Sequence, residues 1–158
     1  MSIRQRRLNS PPRDWVLVAN AARARCFERD AEHNALRELA DFVHPQSRMK
    51  AGALSDERGG KVYKSAASTR FEPRTSVHDK EHEHFARELA RYLDDAVLAH
   101  RCPGLAVLAS DPFLGEIKSH LGEASQRLLK ASIALDLTAY SGAELERRVA
   151  QALHMATE

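Results

Sequence analysis

Two short, unbroken apolar runs predict strands buried on both faces, Trp15–Ala19 and Leu105–Ala109. Arg25–Glu28 alternates polar and apolar positions, which predicts a strand antiparallel to the first because the gap between them is short. Ser132–Ala139 alternates in the same way and predicts the last strand. Leu36–Val43 fits a helical period as well as a strand period, and we favour a third strand because it closes a meander.

Helical patterns fill the second half of the chain. From Asp79 to the Cys102-Pro103-Gly104 stop, apolar residues recur on one helix face, and the acidic residues 79, 81 and 83 suit its first turns. Asp111 as N-cap and Pro112 as first helical residue predict a short helix, and a further helix follows over roughly 123–130. Ser141 and residue 144 form a capping box that opens the last helix.

The order of these elements indicates an α/β protein. Antiparallel strands come first and β/α units follow, which predicts a mixed sheet of about five strands with helices packed on it. Residues 46–78 show no sustained period, and we expect a long mobile loop there that serves a function. The remaining chain divides into a flexible basic tail, 1–13, and one domain over 14–156.

Net charge changes this picture only when it is divided along the chain. The total of +2 at pH 7 argues against a strongly basic nucleic-acid binder. However, residues 1–13 and residues 48–74 each carry +4, whereas 14–47 carry −2 and 75–158 carry −4. Such a basic, glycine-containing loop is suited to phosphate groups of a nucleic acid. The candidate binding residues are Arg48, Arg58, Gly59, Gly60, Lys61, Lys64 and Arg70.

Histidines and acidic residues supply the enzymatic alternative, a hydrolase or nuclease. His44 ends a predicted strand beside the loop, where a general base is one role and a hydrogen-bonded structural histidine the favoured one. His78 and His82 are four residues apart and share a helix face, the spacing of two metal ligands. No third ligand is evident, so we predict no catalytic residue, no resident metal and no cofactor.

Cellular location is inferred from what the sequence lacks. No apolar stretch of signal-peptide length follows the first arginines, and no run reaches the ~20 residues of a membrane span. We therefore expect a cytoplasmic protein with no membrane partner. Cys26 and Cys102 are interpreted as free thiols in a reducing compartment, with a disulfide between them as the alternative. The oligomeric state is not specified by the sequence.

Several segments, taken in order, resemble the bacterial family of host attachment proteins, or proteins required for attachment to host cells. The matching pieces cover nearly the whole chain, and they are Trp15–Arg25, the His44-Pro45-x-Ser47-Arg48 step, Leu54–Gly60, Phe85–Ala90, Asp111–Glu116 and Asp136–Thr138. That family is similar to the middle domain of eukaryotic and archaeal class I release factors, a mixed sheet with helices.

The resemblance implies a translation-associated role. In the release factors, the long loop carries Gly-Gly-Gln into the ribosomal peptidyl-transferase centre, and Gly59-Gly60 would lie on the equivalent loop. Lys61 stands in the place of the glutamine, which argues against peptidyl-tRNA hydrolysis. The implied partner is ribosomal RNA or tRNA, and the family's name supplies a further alternative, an adhesion or protein-interaction module.

Overall fold

The computed structural model describes residues 11–44 and 73–157, with side chains in the first helix from residue 79 onward. Those residues form five strands and four helices, and the predicted α/β class with a mixed five-stranded sheet is confirmed. The elements are β1 (Trp15–Ala19), β2 (Arg23–Asp30), β3 (Ala35–Val43), α1 (Pro73–Leu98), β4 (Leu105–Ala109), α2 (Phe113–His120), α3 (Glu123–Leu128), β5 (Leu129–Ala134) and α4 (Gly142–Thr157). The strand interpretation of residues 36–43 is also confirmed.

The sheet has the strand order β3-β2-β1-β4-β5. β1 pairs antiparallel with β2 and β2 antiparallel with β3, whereas β1 pairs parallel with β4 and β4 parallel with β5. β1, β3, β4 and β5 therefore run in one direction and end at a common edge, here called the carboxyl edge. The opposite edge, where these four strands begin, is the amino edge.

Helices cover both faces of the sheet, which is why all five residues of β1 and of β4 are buried. Side chains alternate along β1, so that Trp15 and Leu17 pack under α1 while Val16 and Val18 pack under α4. The predicted apolar stripe of α1 is buried on the first face. On the other face, Leu145 and Val149 of α4 are buried.

The first helix begins six residues earlier than its pattern predicts, at Pro73 instead of Asp79. Proline is favoured at the first helical position, but the following turns are polar and give no apolar period to detect. The predicted loop 46–78 is thus too long at its carboxyl end. The acidic residues 79, 81 and 83 also lie beyond the first turn, too far along the helix for the predicted dipole effect.

Two further details differ from the prediction. Pro112, with φ −84° and ψ 3°, is the N-cap of α2 and no side chain caps it, so the predicted cap by Asp111 is wrong. β5 covers Leu129–Ala134 instead of 132–139. The apolar residues after position 134 do not belong to the strand. Leu137, in the segment that follows β5, is buried under α4, while Leu135 is 40% exposed.

Both cysteines are free and buried, as expected, so the alternative disulfide is not formed. Burial raises the pKa of the Cys102 thiol to about 11 and raises the pKa of Cys26 further. Since the thiolate is the nucleophile, neither cysteine is suited to attack at neutral pH. Across the described residues, no helix has the length and apolarity that a membrane crossing requires.

Candidate functional site

Polar residues follow the strands that end at the carboxyl edge. Asn20 follows β1, His44 follows β3, Ser110 follows β4 and Asp136 comes two residues after β5. From β1 the chain continues to β2 and β3 on one side of the sheet, whereas β4 and β5, which come later, lie on the other side of β1. The order of the strands therefore reverses between β1 and β4. In open α/β sheets, ligands bind outside the carboxyl ends of strands at such a reversal of order. This edge is therefore the candidate functional site.

Asn20 connects two separate parts of this edge. Its Oδ1 accepts hydrogen bonds from the backbone N–H groups of Ala22 at 2.8 Å and Arg23 at 2.9 Å, which shapes the turn between β1 and β2. Its Nδ2 donates to Asp136 Oδ2 at 3.1 Å and to Thr138 Oγ1 at 2.9 Å. One amide side chain thus holds the β1–β2 turn against the segment after β5.

Asp136 has hydrogen-bond donors at both carboxylate oxygens. Oδ1 accepts from Thr138 N at 2.9 Å and from Thr138 Oγ1 at 2.6 Å, while Oδ2 accepts from Asn20. Partial burial alone would raise the pKa of Asp136, but these hydrogen bonds outweigh it and lower the pKa below its ordinary value. A carboxylate held ionised in this way is a fixed acceptor and is poorly suited to act as a general base.

His44 joins the end of β3 to α1. Its backbone N–H donates to Ala22 O at 2.9 Å, and its Nε2 lies 3.1 Å from Glu81 Oε2. The ring stacks on Phe85 with centroids 4.9 Å apart, and the residue is only 7% exposed. These contacts agree with the hydrogen-bonded structural histidine that the sequence favours, and they leave the ring little room for a substrate.

Arginines at this edge are already paired with carboxylates. Arg23 lies 3.2 Å from Asp41, and this hydrogen-bonded partner raises its pKa above the ordinary value. Arg25 lies 2.8 Å from Glu38 and also donates to Tyr140 O at 3.0 Å. Both cations are therefore held by the fold.

The metal-dependent alternative gains little from the described residues. Among them, the one group of three candidate ligands is Asp30, Glu32 and His33, at the turn between β2 and β3. The carboxylate of Asp30 already accepts from the backbone N–H groups of Glu32 and His33 and pairs with the His33 ring at 2.9 Å. Arg13 lies 3.3 Å from the same carboxylate and opposes a cation. His82 belongs to no such group among these residues.

The predicted RNA-binding residues all fall outside the described residues: Arg48, Arg58, Gly59, Gly60, Lys61, Lys64 and Arg70. The same holds for the side chain of His78 and for residues 1–10 of the basic tail. The structure does place the two points between which these seven residues lie. The chain leaves the described part at His44, on the carboxyl edge, and returns at Pro73.

The direction of α1 relates Pro73 to the same edge. Phe85 stacks near His44 at the carboxyl edge, and Tyr92 packs 5.7 Å from Trp15 at the amino edge. The helix therefore runs from the carboxyl edge toward the amino edge. Pro73 precedes Glu81 by eight residues of helix, roughly 12 Å along the axis. The start of α1 thus extends beyond the carboxyl edge.

The most informative side chains here, Asn20 and Thr138, were not among the sequence candidates. A local signal existed for Asn20, because an Asx residue that ends an apolar run and precedes small residues is typical of a turn. No local signal links it to Thr138, which lies 118 residues away.

Comparison with known families identifies the class of protein. The family model described as "Protein required for attachment to host cells" matches residues 15–149. This match covers most of the chain, from the first residue of β1 into α4, and the chain therefore belongs to this family. The sequence resemblance to the host attachment family is confirmed, while the likeness to release factors stays a prediction.

A relative extends the comparison to a named organism. An uncharacterized protein of Rickettsia prowazekii (strain Madrid E) is 30% identical over 88 residues. The aligned part is 54% of this chain and 59% of that protein, so the chain spans less than two thirds of the relative's length.

Proposed function

We propose that this host attachment family member is a cytoplasmic, release-factor-like domain that binds ribosomal RNA or tRNA. The basic segment 48–74 and the tail would supply the phosphate contacts, and the carboxyl edge would be the rigid base from which that segment extends. The glycines at 59 and 60 would permit close approach of the backbone, while Arg58, Lys61 and Lys64 neutralise phosphate. Binding, and not peptidyl-tRNA hydrolysis, is the proposed activity, because Lys61 replaces the release-factor glutamine.

One observation supports the proposal: the chain leaves the carboxyl edge at His44, shortly before the +4 segment, and α1, which begins at the end of that segment, is fixed to the same edge. The His44–Glu81 contact and the His44–Phe85 stack link these two attachment points. The arginines of the edge itself are neutralised by Asp41 and Glu38. The proposal therefore assigns the phosphate contacts to segment 48–74, which the chain enters just after the carboxyl edge.

The test is binding of tRNA and purified ribosomes at two salt concentrations, about 50 and about 200 mM. Phosphate neutralisation predicts an affinity that falls steeply with salt. The Arg58→Glu, Lys61→Glu, Lys64→Glu variant should lose binding at both concentrations. A matched control, Arg91→Glu, Arg101→Glu, Lys118→Glu, changes the charge equally at exposed positions of the ordered domain and should retain most of it. Equal binding by the wild type and the loop variant would reject the proposal.

The description of the matching family supports a second candidate, a role in attachment to host cells. Cell fractionation separates the two candidates. We expect the protein in the ribosome-containing soluble fraction, and co-sedimentation that is abolished by the loop variant. A surface-exposed protein whose loss reduces adhesion, with no ribosome association, would favour attachment instead.

A further inference from the structure

A cavity of about 150 Å³ lies at the amino edge, at the opposite end of the strands from the carboxyl edge. Val16 of β1, Ala106 of β4 and Ala131 of β5 line it from the sheet, and Leu153 lines it from α4. These four side chains belong to or pack against the apolar cluster under α4. The cavity is therefore a partly open chamber with an apolar inner wall, between the sheet and the last turns of that helix.

The space arises from small side chains at one level of the sheet. Ala106 and Ala131 are register partners on the neighbouring strands β4 and β5. Two residues further along, the partners Leu108 and Ile133 occupy the same face. Two alanines thus leave unfilled volume where larger side chains fill it elsewhere. Unfilled apolar volume destabilises a fold, so an occupant that restores contacts there would be favoured.

Charged groups surround the chamber on the sheet side. Lys130 Nζ lies 2.8 Å from Asp14 Oδ2, and Arg29 Nη2 donates to Asn34 Oδ1 at 2.9 Å. All three charged residues, Asp14, Arg29 and Lys130, line the cavity, which gives it a net positive charge. Within residues 11–44 and 73–157, the guanidinium of Arg29 has no carboxylate partner, so its remaining donors can serve a ligand. Guanidinium groups match the geometry of carboxylates.

We propose that this cavity binds a small carboxylate with one compact apolar group, of the size of benzoate or a short branched fatty acid. A space of this volume is large enough for a benzene-sized molecule. The apolar group enters between Ala106, Ala131 and Leu153, and the carboxylate pairs with Arg29. The proposal does not depend on RNA binding, since the cavity and the basic segment lie at opposite edges of the sheet.

The test uses benzoate as the probe, with benzyl alcohol and benzylamine as neutral and cationic analogues. Val16, Ala106 and Ala131 line the cavity, so their methyl NMR signals report occupancy. We expect saturable binding in the order benzoate, benzyl alcohol, benzylamine. Arg29→Gln should weaken benzoate at least tenfold and leave benzyl alcohol nearly unchanged. Lys118→Gln, an exposed cation away from the cavity, is the control and should change neither.

A cavity-filling variant tests the location. Ala131→Leu should abolish binding of all three probes while the protein stays folded by amide NMR dispersion, and Ala106→Val serves the same purpose if the first variant does not fold. Non-saturable shifts with benzoate, equal affinity for benzoate and benzylamine, or undiminished binding in the filled variant would each overturn the proposal.

Discussion

The two faces of the sheet are covered to different depths. Within residues 11–44 and 73–157, the cluster under α1 and α2 contains twenty buried residues, and the cluster under α4 contains eight. α1 has 26 residues and α4 has 16, roughly 39 Å against 24 Å of helix. The thinner face also contains the cavity. The deeper face is covered by α1, α2 and α3 and the thinner face by α4 alone, so the number of covering helices accounts for the unequal cores in the described part of the chain.

The largest expected effect compares one leucine from each face. Leu93 of α1 and Leu145 of α4 are almost fully buried, at 0% and 1% exposure. We expect Leu93→Ala to lower the free energy of unfolding by about 4 kcal/mol and Leu145→Ala by about 2.5 kcal/mol, because the thinner face relaxes more easily around a deletion. Urea denaturation of both variants measures the difference. Equal losses in the free energy of unfolding would show that the number of buried residues on a face does not determine how far it relaxes around a deleted side chain.

The next effect concerns the attachment of α3 to α1 on the deeper face. The carboxylate of Asp94 accepts from Gly122 N at 3.0 Å and from the buried Ser125 hydroxyl, so it caps α3 from a neighbouring helix. Asp94→Ala should cost about 2 kcal/mol in the free energy of unfolding, since it leaves these donors without their acceptor. Asp94→Asn, which keeps one acceptor oxygen, should cost less. The same loss for both variants would contradict this account.

A smaller effect is expected at the carboxyl edge. Asn20→Ala removes the acceptor of two backbone N–H groups and the donor to Asp136 and Thr138, and we expect a loss of about 1–2 kcal/mol. Faster amide exchange at Ala22 and Arg23 should accompany it. Thr138→Val, a near-isosteric control, should leave exchange at these two amides close to that of the wild type.

Asp136 gives the same edge a pH dependence of defined sign. Its folded pKa is lower than its ordinary value of 3.8, so its contribution to stability is present above that value and is lost as the pH falls through the folded pKa. Because the side chain is mostly outside the core, the contribution is modest. The stability difference between wild type and Asp136→Asn should therefore shrink below about pH 4. A difference that stays constant to pH 2 would contradict the assignment.

The smallest effect lies in the turn between β2 and β3, outside both clusters. The hydrogen bond to Asp30 raises the pKa of His33 above 6.5, so any stabilisation is present below pH 6.5 and is lost as the pH rises through the folded pKa. NMR titration of the His33 ring should show a raised midpoint, and Asp30→Asn should return it toward the ordinary value. Because the His33 side chain is 70% exposed and solvent screens this pair, no shift in unfolding midpoint is expected.

The sequence pattern predicts the bounds of a strand best where both faces of that strand are buried. β1 and β4 have the predicted bounds, because a continuous apolar run of five residues is required for a strand covered on both faces. The sequence pattern does not predict the start of α1, because residues 73–78 show no apolar helical period. It misplaces the end of β5 because Leu137 is buried outside the strand. Local periodicity cannot separate a strand from an extended segment that is anchored by side chains.

The candidate site was only partly accessible to sequence reasoning. The distribution of charge along the chain points to segment 48–74, and the sequence places His44 beside it. Its partner Glu81, however, lies 37 residues further along the chain. The Asn20–Asp136–Thr138 network likewise joins residues that only the strand order brings together. Such contacts depend on topology, for which a single sequence has no direct signature.

The clamp formed by His44, Glu81 and Phe85 has a consequence for how this fold can diversify. Its two contacts, His44 with Glu81 and His44 with Phe85, link the end of β3 directly to α1. The entropic cost of closing a flexible connection grows only logarithmically, about 0.6 kcal/mol for each doubling of length. Segments of quite different length and composition can therefore be exchanged between these two elements at little cost to the sheet. The scaffold is modular at this junction, and new binding specificities can evolve there without redesign of the core.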